Sequence, residues 1–338
     1  MSFLTRRRHP SPLVNSPGVP LTALDSDLDP MLGDPAGHAA AMLARDGDWR
    51  GLSAFLQGVP DVDDRGFYIT RLMEGFTGMP PWLDQWLAAE PSSALCHLVR
   101  GVRATQWAWE AGSDGTAPTA MAPGFSAFRE RLAEADRALM MAATLDPADP
   151  LPHIQGLITA RGLQLGYPAL HARFQHAVHR APLSYRAHAQ LLQGLAKKWS
   201  GAHDVMYQFA RGAAQAAPDG HPMHTLVAEA HIEGWLDGDR AYRHLYWQVP
   251  GIREEIHAAA RSSVELPDFD GGAETAAYRN TFAFCFWSLN EPEPLAAQLA
   301  LIGDKVTRSP WSHMGLGATA AVQSAREFAA HSHGTSPG

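Results

Sequence analysis

Five side chains of this sequence have the chemistry to hold an anion: Arg161, Gln164, His188, Gln193 and Lys198. A guanidinium and an ammonium with amide neighbours offer several N–H donors to one carboxylate, which suits capture of an acidic group on another protein or peptide segment. All five fall on the first helices of successive helical pairs, so they are expected to line one concave face. The string Lys197-Lys198-Trp199-Ser200-Gly201 also ends such a helix, where cations complement the negative end of the helix dipole.

Seventeen histidines raise metal chemistry as an alternative. His221, His224 and His231 cluster with Glu229 and Glu233, and Glu254 with His257 forms a Glu-x-x-His whose side chains share a helical face. A carboxylate-bridged site needs a second such motif, and none is present; nor is there a His-Glu-x-x-His. His224, Glu229, His231, Glu254 and His257 therefore stand only as the alternative metal or small-molecule site, and no cofactor is expected. There is no Gly-x-Ser-x-Gly, no phosphate-binding glycine motif, and neither Cys96 nor Cys285 sits in a catalytic string. Trp107, Trp109, Trp235, Trp247, Trp287 and Trp311 could wall a pocket, but such residues more often fill helix–helix contacts.

The elements that must position these groups read as helices throughout. Ala135, Leu139, Ala142 and Pro147 have offsets 0, 4, 7 and 12, which recur at Leu170, Phe174, Ala177, Pro182 and at Met206, Ala210, Ala213, Pro218. Offsets of four and seven form one apolar helical stripe, and the proline stops the helix. A period of 35 and then 36 residues, read from Pro147, Pro182 and Pro218, is that of a helix–turn–helix repeat of the tetratricopeptide type. The predicted architecture is all-α: a right-handed superhelical array of helical hairpins over 36–330. Residues 1–35, with six prolines between Pro10 and Pro35, read as a disordered N-terminal arm, 112–124 as a flexible insert and 331–338 as a disordered tail. Helices are expected to begin near Ala36, after caps at Asp48 and Ser92, at Asp63-Asp64 and at Pro80-Pro81. Gly166 and Gly201 are expected to supply left-handed caps.

A formal net charge of −8 with only 27 Lys+Arg excludes a general attraction to nucleic acid. No apolar run of the length a bilayer demands is present, and two isolated cysteines suit reduced thiols in the cytoplasm. Five strings carry a resemblance: Gly162-Leu-Gln-Leu-Gly166, Lys198-Trp-Ser-Gly201 followed by Met206 and Phe209, Val227-Ala-Glu-Ala-His231, Asn280-Thr-Phe-Ala-Phe284, and Gly303-Asp-Lys-Val306 leading to Pro310-Trp311. Through them the chain resembles an uncharacterised family of bacterial tetratricopeptide-like proteins, best represented in actinobacteria. That resemblance implies a helical repeat and, within the wider repeat class, partner binding on the concave face. The expected function is a cytoplasmic scaffold or adaptor holding a partner segment in its groove. An enzyme or a small-molecule or metal binder with a pocket near His224–His257 is the alternative, and a homodimer is possible.

Overall fold

The structure, a computed structural model, describes residues 25, 27–110, 124–199 and 201–333. Among them are sixteen α-helices and no strand. The helices are α1 (Pro35–Asp46), α2 (Trp49–Gln57), α3 (Val62–Glu74), α4 (Pro81–Ala89), α5 (Ala94–Trp109), α6 (Phe125–Leu145), α7 (Leu151–Gly162), α8 (Tyr167–Arg180), α9 (Tyr185–Leu195), α10 (His203–Ala216), α11 (Thr225–Asp237), α12 (Arg240–Tyr246), α13 (Ile252–Arg261), α14 (Thr275–Ser288), α15 (Pro292–Ile302) and α16 (Ala318–His333). No helix among the described residues is long and apolar enough to cross a membrane.

Short polar residues start these helices by taking free N–H groups at their first turns. Asp48 accepts from Gly51 N, Asp61 from Asp64 N and Ser184 from Ala187 N. The cap of α5 is Ser93, which accepts from Cys96 N, and not its neighbour Ser92. At the end of α7 it is Gln164, with φ 57°, that takes the left-handed conformation, while Gly166 precedes α8. Gly166 itself has a positive φ of 82°, whereas at Gly201 a Cβ would lie 2.0 Å from the carbonyl oxygen of Leu195, so close backbone approach requires the glycine.

The repeated stripes are buried. Ala135, Leu139, Ala142, Leu170, Phe174, Ala177, Met206 and Ala210 are all within the core; in the third copy Ala214 is buried and Ala213 is only half-buried. Each of α3, α5, α7, α9, α11 and α14 packs against the next in that series, and α6, α8 and α10 each bridge two of them from outside. These six are the inner helices. α3 and α4 each pack on α5, with α1 and α2 packed beside them.

The inner series also folds back on itself. α3 packs against α9 and against the turn 272–274 ahead of α14, and Asp64 accepts from Ala273 N at 2.8 Å. The two ends of the described chain meet as well, since buried Asp25 accepts from Ala318 N at 2.6 Å. Met31 and Leu32 are buried, so this stretch of the expected arm packs into the fold ahead of Ala36. Residues 1–24 of the expected arm, almost all of the 112–124 insert and 334–338 of the tail lie outside the described residues. His331 to His333 belong to α16, which the periodicity did not reveal because its buried stripe is mostly alanine.

Candidate functional site

The inner helices place polar groups at two ends about 15 Å apart, the length of an eleven-residue helix. At their C-terminal ends lie three of the five expected anion-holding residues. Gln193 Nε2 donates to Glu233 Oε1 at 2.7 Å, and Lys198 Nζ pairs with Glu233 Oε2 at 2.7 Å. Arg161 donates through Nη1 to Gln190 Oε1 at 3.2 Å and lies over the Trp199 ring at 5.4 Å, while its buried Nε has no partner. Burial pulls the Arg161 guanidinium down to about 10, against the opposing charge of Glu233. The donors expected for a partner's carboxylate are thus occupied: Glu233 sits where that carboxylate was to go.

The other two expected residues are elsewhere. Gln164 is exposed at the end of α7. His188 turns toward the outer helices, its ring at 5.0 Å from Phe174 and 5.8 Å from Phe209, with Nδ1 2.8 Å from Ser184 O. The reason is helical phase, because five residues from His188 to Gln193 rotate about 140° round α9.

The N-terminal ends form a recess of about 730 Å³. Four stretches remote in sequence build it: 60–64, 181–184, 220–222 and 270–274, with Tyr278 at its wall. Asp63, in the first turn of α3, accepts from Ser184 Oγ at 2.6 Å and from Tyr185 N at 2.7 Å, which ties α3 to the start of α9. Burial pushes its carboxyl up to about 6, the Ser184 bond and Arg186 opposing and Glu274 adding. Arg186 Nε lies 3.0 Å from Glu274 Oε2 and donates to Asp63 O at 3.0 Å. Behind the recess Tyr185 donates to Glu229, whose carboxyl burial pushes up to about 7, helped by the charges of Glu233 and Glu274. Tyr278 is 3% exposed and packs edge-on to Tyr185 at 4.8 Å; its hydroxyl makes no hydrogen bond among the described residues.

The residues of the alternative metal site are dispersed. His224 Nε2 is 3.1 Å from Pro218 O, His231 lies between Tyr246 Oη at 2.9 Å and Glu255 Oε2 at 3.2 Å, and His257 is 2.7 Å from Glu291 Oε2. Glu254 is exposed, and Glu229 belongs to the tyrosine contact above. Among the described residues no three metal-ligating side chains come together. Of the tryptophans, Trp235, Trp247, Trp287 and Trp311 pack into one aromatic cluster with Phe284, and Trp109 packs on Phe128 and Trp199, so these rings fill helix contacts.

Asp63, Arg186, Glu274 and Tyr278 were not picked out by sequence reasoning. A signal existed in Asp61, Asp63 and Asp64, since three acids exceed what one helix cap uses. Nothing in the sequence joins 63 to 184 or 274. Comparison with models of known protein families, with curated proteins and with solved structures found no match.

Proposed function

We propose that the protein is a cytoplasmic binding scaffold, a right-handed tetratricopeptide-like array whose inner helices hold a segment of a partner protein at the N-terminal recess. The observation that carries this reading is the recess itself: four separate stretches converge on an open hollow large enough for several side chains, with Asp61, Asp63, Asp64 and Asp270 around it and Tyr278 at its wall. The C-terminal end of the inner helices supports partner binding less, because Glu233 already engages Gln193 and Lys198.

Selection from a displayed random-peptide library tests the proposal. Leu183 lines the recess and is 44% exposed, so Leu183→Trp fills the hollow at little cost to the core. Selected peptides are expected to lose at least tenfold in affinity for that variant at unchanged thermal stability. Peptides that bind both forms equally would refute the seat.

A second reading places an enzyme at the same recess. Asp63 at about 6 and Glu229 at about 7 are carboxyl groups poised near neutral pH, as acid–base catalysis requires. Turnover of a small molecule abolished by Asp63→Asn in folded protein would favour it over the scaffold.

A further inference from the structure

We infer that the recess accepts the cationic tip of a partner side chain, a guanidinium or an ammonium; this rests on the partner-binding reading above. Asp61, Asp64 and Asp270 lie around it. Each spends one carboxylate oxygen on a backbone N–H: Asp61 Oδ1 accepts from Asp64 N, Asp64 Oδ1 from Ala273 N and Asp270 Oδ1 from Gly272 N. The second oxygen of each is without a hydrogen bond among the described residues. Three carboxylates thus face the hollow with spare acceptors.

The cations nearby do not balance them. Arg186 is engaged by Glu274 and by the backbone of Asp63. His221 accepts from Met223 N through Nδ1, and burial together with His224 and His188 lowers its pKa, so it is neutral at pH 7. The second feature is Tyr278, whose side chain is 3% exposed and lines the recess while its hydroxyl makes no hydrogen bond among the described residues, so the phenol oxygen is open to a guest there. An organic cation with several N–H donors answers both features, reaching spread acidic oxygens and the phenol at once. A single metal ion suits them less, since no three metal-ligating groups converge among the described residues.

NMR titration of the whole protein tests this, following the Tyr278 ring and His221 side-chain signals. The probes are N-acetyl-arginine methylamide, N-acetyl-lysine methylamide, the uncharged near-isostere N-acetyl-citrulline methylamide, and calcium chloride. Saturable shifts are expected with the arginine or lysine probe, at least tenfold weaker with citrulline, and lost in Asp61→Asn/Asp270→Asn, whose asparagines keep the turn-closing acceptors. The relative strength of arginine and lysine separates the two sources. Equal shifts with citrulline, shifts that persist in the double variant, saturation by calcium alone, or the absence of any saturable shift would each overturn the inference. Selected peptides that lack Arg and Lys yet lose binding in Leu183→Trp would overturn it while leaving the partner-binding reading standing.

Discussion

The two ends of the inner helices treat charge in opposite ways. At the C-terminal end cations meet carboxylates of the same chain: Lys198 pairs with Glu233, Lys197 with Asp237, and buried Arg103 donates to the carbonyls of Met73 and Gly78 and to Glu110. At the N-terminal end Asp61, Asp64 and Asp270 outnumber their cations and keep oxygens unbonded. A protein gains nothing in stability from like charges left facing a hollow, so the first end is structural and the second is the end that the proposal above gives to a partner.

The largest expected effect comes from emptying the structural end. Arg103 is fully buried, and Arg103→Met orphans two backbone carbonyls, for an expected loss of about 3–5 kcal/mol in urea unfolding. Glu233→Ala takes the carboxylate from Gln193 and Lys198 and the opposing charge from buried Arg161, and a loss of about 2 kcal/mol is expected. A cost near zero there would break the comparison.

Between the two ends Glu229 sharpens it. Its carboxyl ionises near 4.5 when unfolded and only near 7 when folded, so its ionisation penalises the folded state progressively from about pH 4.5 to about pH 7. Glu229→Gln is therefore expected to stabilise by roughly 2 kcal/mol at pH 8 and by nothing at pH 4, read as the pH dependence of the urea midpoint. The smallest effect belongs to the recess. Asp61→Asn/Asp270→Asn should leave stability within about 0.5 kcal/mol of the original, and a loss beyond about 1 kcal/mol would show those acids to be structural after all.

How far the site was legible follows from the range of each interaction. The helix starts at Asp48 and Pro81 and the stripe Ala135, Leu139, Ala142 rest on contacts within a few residues, and they appear where the spacing put them. Arg161, Gln193 and Lys198 do come to one end, because α7, α9 and α11 pack side by side and Glu233 on α11 draws Gln193 and Lys198 together. His188 does not, and its phase relative to Gln193 on α9 was readable in advance. Alanine-striped α16 and buried Asp25 were not readable, since alanine gives little periodic contrast and Asp25 is held by a residue at the far end of the chain.

By itself the sequence determined an all-helical chain of paired helices with a strong acidic excess, because propensity, stripe and cap are local properties. Only the tertiary structure decided that the expected carboxylate clamp is closed by Glu233 and that Asp63, Ser184, Gly272 and Tyr278 share one hollow. α3 meets α9 and the 272–274 turn through contacts such as Asp63 with Ser184 and Asp64 with Ala273, which join residues 121 and 209 apart in sequence, and no local pattern records such pairings.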